Sequence, residues 1–445
     1  MQKTVILITG FLIPFILAGQ NPGSFRYSDS ITYIHYLNKD WKALTDRGNE
    51  ALAAGHDYYY MRMRLGIAYF EKHNYAASAK HFKKALEFNQ GDNVATEYLF
   101  YSSFLYGRSM QAWSILSGML PAAKKRIEVE SRIKRNSITA EYFLSDSKSG
   151  DIIANPGYYF SNSEPGSQVI TRYFINNAVY ASHILGKNVI YSHAFTNLIK
   201  DNFLYYYDGI TVADMQVQRI IQNQYYGSLN FFTSTGWVFS PSFHYLGTGY
   251  PFINIIYSGN KSFISEYQVK NKGYATGFRI TRMSGYTAVS AEGSFSELNY
   301  QKQAQSGLSV TIYPSGNSNL YIGASFSALF PIDQYSASIS YVTGITGGFT
   351  IKNKVWFEFS GTNGDMKNYL EKNGLLVYNS TDFPTRKISA CLLVPLANRK
   401  LTLMIGAGRS WHSSQWIPAD GTLSGGPNIL KYYNNIITGG ITWNF

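Results

Sequence analysis

The sequence predicts an α + membrane β chain: a short helical-repeat array, then an antiparallel transmembrane β-barrel of about sixteen strands. Three observations carry this. Residues 28–120 have helical periodicity with few glycines, and residues beyond about 135 alternate with period two up to Phe445. No apolar stretch past residue 20 reaches the roughly 18 residues that a membrane helix needs.

The first residues form an element of their own. Lys3 precedes an apolar run from Val5 to Leu17, and the small residues Ala18 and Gly19 come before Asn21-Pro22-Gly23. This pattern predicts a secretory signal over residues 1–20, because the run is too short to span a bilayer. Cys391 is the only cysteine, so neither an intrachain disulfide nor a lipid-anchored start is expected.

Composition narrows the class further. Aromatic residues make up 16% of the chain and tyrosine alone counts 37, yet mean hydropathy is slightly negative. Membrane barrels combine these properties because lipid-facing and lumen-facing residues alternate and average out. The net charge of +12 is spread along the chain, with basic runs only at Lys124-Lys125-Arg126 and Lys134-Arg135. A nucleic-acid partner is therefore not expected.

Within the helical part, Leu65, Gly66, Tyr69, Tyr75, Phe82 and Ala85 set the expected repeat packing. A small residue lets one helix approach the next while aromatics fill the groove between them. The pattern echoes at 34 residues: Trp41 with Tyr75, Leu44 with Ser78 and Ala112, Leu65 with Leu99, Phe82 with Leu116. The segment resembles a tetratricopeptide repeat, with Arg62 in place of a large aromatic, Ser78 in place of alanine and Gln90 in place of proline. The expected domains are a signal over 1–20, a periplasmic helical domain over 25–122, a basic linker over 123–133 and a barrel over 134–445.

Strand boundaries in the barrel follow from turn chemistry. Tight turns are expected at Gly186-Lys187-Asn188, Ser234-Thr235-Gly236, Ser258-Gly259-Asn260, Ser284-Gly285, Ser315-Gly316-Asn317, Gly344 to Gly347 and Ala397-Asn398-Arg399. Other connections are expected at 146–168, 200–213, 247–251, 270–273, 296–303, 330–334, 361–384 and 412–430. Short turns then alternate with longer loops, which puts both ends of the barrel on the periplasmic side. Alternation places Glu141, Arg172, Arg279, Glu292, Lys352, Lys354, Glu358 and Lys387 on the inner face as candidate lumen-lining charges. Charges there would set ion selectivity if the lumen is open, or pair with an inserted loop if it is plugged.

Tyr433, Ile437, Ile441, Trp443 and Phe445 share one face of the last strand. Ile441, Trp443 and Phe445 resemble the C-terminal signature that the outer-membrane barrel assembly machinery reads. A secretion signal, a few repeats and a C-terminal barrel together resemble the YaiO-type outer-membrane barrel family. More loosely, they resemble exopolysaccharide-secretion porins, which carry longer repeat arrays. The resemblance implies an integral outer-membrane protein with its helical domain in the periplasm. Its expected partners are membrane lipid, the assembly machinery and a periplasmic protein docked on the repeats.

No catalytic motif stands out, and neither an enzyme activity nor a cofactor or metal is expected. The eight histidines (35, 56, 73, 81, 183, 193, 244, 412) show no HExxH or paired-ligand spacing, and no GxSxG elbow occurs. His412 with Ser413, Ser414 and Asp420 could mimic a rim hydrolase, but a solvated loop is the plainer reading. Cys391 is expected to point inward as an inert small residue. A transport conduit is thus the leading expectation, with a pore-less scaffold for secretion or barrel assembly as the alternative and an embedded hydrolase behind it.

Overall fold

The computed structural model describes residues 24–119, 121, 124, 127, 136–147, 152, 154–155, 165–186, 188–207, 212–258, 261–333, 338–352, 354–396, 400–418 and 429–445. The expected signal over 1–20 and most of the expected linker over 123–133 lie outside the described residues. The chain divides into two compact units.

The first unit holds α1 (Phe25–Leu37), α2 (Trp41–Ala53), α3 (Tyr59–Glu71), α4 (Tyr75–Phe88), α5 (Asn93–Leu105) and α6 (Ser109–Gly118). Helices α1, α3 and α5 start at residues 25, 59 and 93, and α2, α4 and α6 at 41, 75 and 109, so both sets recur every 34 residues. Local chemistry sets these ends. Side chains of Ser24, Asp40, Asn74 and Asp92 accept backbone N–H groups in the first turns of α1, α2, α4 and α5. Lys39, His73 and Gly107, again 34 apart, take left-handed φ values of 55°, 57° and 81° between helices.

Packing in this unit centres on Leu44, Met61, Leu65, Phe82, Ala85 and Phe100, all buried. A Cβ on Gly66 would stand 2.8 Å from the Phe82 ring, so only glycine permits this approach of α3 to α4. Tyr69 stacks on His81 at 5.3 Å, and Tyr75 meets Phe70 edge-on at 5.5 Å. Ser78 is buried and donates to the Gly66 carbonyl at 2.9 Å. Arg62 grips Asp57 through two bonds of 2.7 and 2.6 Å and donates to His81 Nδ1 at 3.2 Å.

The second unit is a closed antiparallel barrel. Its strands are β1 (Asn136–Ser147), β2 (Gly166–Leu185), β3 (Val189–Tyr207), β4 (Val212–Phe232), β5 (Trp237–Ser258), β6 (Lys261–Ser284), β7 (Thr287–Leu298), β8 (Gln301–Ile312), β9 (Leu320–Pro331), β10 (Ser340–Ile351) and β11 (Val355–Gly364). A separate pair, β12 (Tyr369–Glu371) and β13 (Leu376–Tyr378), precedes β14 (Pro384–Leu396), β15 (Leu401–Gln415), the two-residue β16 (Ile417–Pro418) and β17 (Ile429–Asn444). Among the described residues the main sheet has 15 strands; setting aside β16, fourteen form the wall, and β1 closes it against β17 with Ala140 opposite Ile441.

Fourteen strands replace the expected sixteen; of two misplaced sets of connections, the first removes two strands and the second only shifts a turn. The first is at 247–251 and 270–273, which are not connections: β5 and β6 pair continuously from Trp237↔Arg282 to Ser258↔Lys261. Gly247, Gly249 and Pro251 stay extended there because the partner strand zips alongside them. This long hairpin also carries Ser258 and Lys261 to the long-loop end, while Gly259 and Asn260 of the expected turn lie outside the described residues. The second is at Gly344 to Gly347, which lie inside β10. Cβ atoms there would meet Ser325 at 2.4 Å and the Phe359 ring at 2.3 Å, so these glycines make room for cross-strand side chains. The true turn falls between Ile351 and Val355, where Lys352 takes φ 48°.

The wall is apolar outside and polar inside, the reverse of a soluble barrel. Leu308, Val310, Ile405, Ile437, Ile441, Trp443 and Phe445 are exposed outward. Gln303, Gln305, Ser410, His412, Ser414 and Asn434, on the opposite faces of the same strands, are buried. Among the described residues no helix is long and apolar enough to cross a membrane.

Candidate functional site

The lumen holds residues 365–383, the segment between β11 and β14 that contains the β12–β13 hairpin. Its two roots stand at the long-loop end, at Gly364 and Pro384. Its tip, Lys372-Asn373-Gly374, takes left-handed φ values of 55°, 58° and 83° in succession. That turn delivers Asn373 to β5, where its Nδ2 donates to the Ser240 carbonyl at 3.0 Å and its own carbonyl accepts from Ser242 at 2.8 Å. Ser240 and Ser242 are only three and five residues from Trp237, where β5 begins at the short-turn end. The hairpin thus runs most of the length of the barrel.

Wall side chains hold the hairpin through its backbone. Gln305 makes a two-way contact with Leu370, donating to its carbonyl at 2.8 Å and accepting its N–H at 3.0 Å. Gln303 donates to the Asn368 carbonyl at 3.1 Å, and His244 Nδ1 to that of Gly374 at 2.6 Å. These bonds satisfy backbone groups that burial would otherwise leave unpaired. Apolar contacts reinforce them: Leu370 packs on Leu246, Ala275 and Leu298, and Met366 with Tyr369 packs on Leu329 and Val342.

A buried carboxylate pins the C-terminal root. Asp382, with a fully buried side chain, pairs with Lys200 of β3 at 2.9 Å and accepts the Thr171 N–H of β2 at 2.7 Å. Hydroxyls of Thr171, Tyr432 and Ser380 also donate to it. This cluster sits at a β-bulge, where the pairing of β2 with β3 shifts between Thr171 and Tyr173. Beside it, Ile152, Ile170, Tyr205 and Tyr432 form a buried apolar cluster, and β16 crosses to pair with the start of β2 at Gly166–Ser167.

The expected lumen-lining charges divide into distinct groups. Arg279 and Glu292 pair across β6 and β7, Nε to Oε2 at 2.8 Å. Lys387 reaches the hairpin, donating to the Tyr378 hydroxyl at 2.8 Å and standing 3.7 Å from Glu371. Glu358 accepts from Tyr321 at 3.1 Å and from the Trp356 indole at 2.8 Å. Glu141 lies beside Gly440 on β17. Cys391, half-buried, stands opposite Glu358 in the β11–β14 register.

Three of the eight are not brought to the lumen. Lys352 and Lys354 lie in the β10–β11 turn and are exposed, because the run that alternation carried straight through them is broken there into two strands. Arg172 is exposed at the bulge, with its guanidinium 5.3 Å from the Phe203 ring. His412 is buried, and its partner is Ser410, whose hydroxyl lies 2.8 Å from Nε2; Nδ1 donates to the Asp382 carbonyl at 2.8 Å. It therefore braces the hairpin root, while Asp420 of the rim-hydrolase reading lies outside the described residues. Sequence reasoning missed Asp382, Lys200 and Thr171, because their meeting spans 182 and 211 residues of chain. The only local signal was an isolated aspartate just before Phe383-Pro384 in a long loop.

No protein-family model and no curated protein matches the chain. Among solved structures it is similar to the toluene transporter TodX of P. putida, with a TM-score of 0.46 and 6% identity over 70% of this chain and 90% of that one. It is similar to a Pseudomonas aeruginosa FadL homologue, with a TM-score of 0.44 and 10% identity over 75% of this chain and 94% of that one. A bacterial polysaccharide outer membrane secretin is similar with a TM-score of 0.32 and 10% identity over 70% of this chain and 99% of that one.

Proposed function

We propose that the protein is an outer-membrane conduit gated by the 365–383 hairpin. The observation that carries this reading is the chemistry of the wall behind the hairpin. Gln303, Gln305, Ser242 and His244 face inward and meet hairpin backbone through bonds that water or a polar solute could replace. A barrel that served only as an anchor would gain more by filling its interior with apolar side chains. A wall of fourteen strands also encloses more space than side chains alone fill. The apolar outer face supports a membrane location, and the short-turn end is the periplasmic one by the usual asymmetry of such barrels.

In the same reading the helical unit is a tetratricopeptide-like docking module for a periplasmic protein, supported by its 34-residue recurrence of helix starts. Ile441 and Trp443, exposed on β17, and Phe445, exposed just beyond it, serve as the recognition face during barrel assembly. The test is single-channel conductance in a planar bilayer, for the full chain and for a variant in which a short Gly-Ser linker replaces 365–383. The full chain should stay mostly closed and the variant should conduct. A variant that remains folded and heat-modifiable on gels yet never conducts would establish the pore-less scaffold instead.

A further inference from the structure

Outside the lumen, the fold unites two imidazoles whose sequence spacing showed no ligand pattern. His183 and His193 flank the β2–β3 turn, and the register sets His183 opposite Tyr191 and His193 opposite Ala181. They are therefore diagonal neighbours on one face of a hairpin, within reach of each other. Val179, Leu185 and Phe195 are exposed, and period two puts both histidines on that same outer face. The pair lies at the short-turn end, away from the hairpin and its anchors.

The two Nε2 atoms are 3.2 Å apart, with ring centroids separated by 5.4 Å and planes inclined by 28°. Tyr191 stacks on His193 at 5.1 Å and 11°, and its hydroxyl is hydrogen-bonded to that of Tyr225 at 2.8 Å. A tethered aromatic thus fixes the His193 ring. Neither Nδ1 has a protein partner among the described residues, so each is free to carry the proton and leave Nε2 unprotonated. Two imidazoles bound to one tetrahedral ion at about 2.0–2.1 Å place their nitrogens about 3.3 Å apart.

We propose that His183 and His193 chelate one transition-metal ion, Zn²⁺ or Cu²⁺, through both Nε2 atoms. Imidazole pairs select such ions over Mg²⁺ and Ca²⁺, which take oxygen ligands. Among the described residues no group of three or more His, Cys, Asp or Glu could hold a metal, so the protein supplies two ligands to the chelate. The bound ion staples β2 to β3 beside their turn and stabilises the barrel by mass action.

The test uses the full chain in detergent, Zn²⁺ by calorimetry, Cu²⁺ by paramagnetic resonance and Mg²⁺ as control. Wild type should take up one more equivalent of Zn²⁺ than the His183→Gln/His193→Gln variant. It should also show a Cu²⁺ signal with two nitrogen ligands that this variant lacks, and none of this should occur with Mg²⁺. Zn²⁺ should raise the barrel melting temperature of wild type and leave the heat-modifiable variant unmoved. Equal uptake and equal melting shifts in both proteins would overturn the proposal and leave a tautomeric hydrogen bond only. Should the double variant fail to assemble, the wild-type Cu²⁺ spectrum decides, since a signal without two nitrogens overturns it equally.

Discussion

Asp382 accepts the backbone N–H of Thr171 at 2.7 Å across 211 residues of chain, joining the root of the lumenal hairpin to the bulged edge of β2. Lys200 completes the contact at 2.9 Å, and both side chains are almost wholly removed from water. The hairpin is therefore anchored by an ion pair at its root and by neutral hydrogen bonds at its tip.

Removing one partner of that pair should be costly and removing both should be mild. Asp382→Ala leaves the Lys200 ammonium buried and unpaired, a penalty of about 3–5 kcal/mol, whereas Asp382→Leu with Lys200→Met leaves no charge behind. Melting followed by heat-modifiability should rank the single variant well below the double. Conductance should rise in the single variant as the root loosens. Equal melting of the two would show that the pair does not anchor the hairpin.

Charge reversal should distinguish the true lumen face from the turn. Lys352 and Lys354 lie in the β10–β11 turn, so changing both to glutamate should leave the ion selectivity of the hairpin-deleted channel unchanged. Arg279 lies in β6 and pairs with Glu292, so Arg279→Glu should shift the reversal potential of that channel towards cations. Reversal potentials in a salt gradient read both. A shift from the lysine pair would mean that the turn closes over the pore.

Acid should weaken the helical unit before it affects the barrel. Burial, followed by the neighbouring Arg62 guanidinium, pushes the His81 imidazole from 6.5 down to about 4. The folded state therefore prefers the neutral ring, and stability from this residue is complete above pH 6.5 and lost as pH falls towards 4. Integrated over that window the loss is about 3 kcal/mol at most. Asp57, held below its usual range by the Arg62 hydrogen bond, adds a further loss at lower pH. The denaturation midpoint of the helical signal at 222 nm in the full chain should fall between pH 6.5 and 4. In His81→Asn it should stay nearly flat over the same range, and parallel curves would rule out His81 as the source.

Sequence by itself determined the features that depend on near neighbours. Trp41 and Tyr75 mark helix starts because Asp40 and Asn74, the residues before them, cap backbone N–H groups three positions on. Strand faces were legible for the same reason: Ile437, Ile441 and Trp443 along β17, and Phe445 just beyond it, alternate with residues that turn inward, which needs only the pleat. Tertiary structure alone decided what the partner strand or a distant loop controls. Gly247 and Gly249 read as breakers until Asn271 and Gly273 of β6 are found near them, and Gly347 reads as a turn until the Phe359 ring covers it. Asp382, Lys200 and Thr171 carry no mutual signal along the chain. Their encounter exists only after barrel closure fixes register and the lumen excludes water, whereas that of His183 with His193 needs only the register of the β2–β3 hairpin.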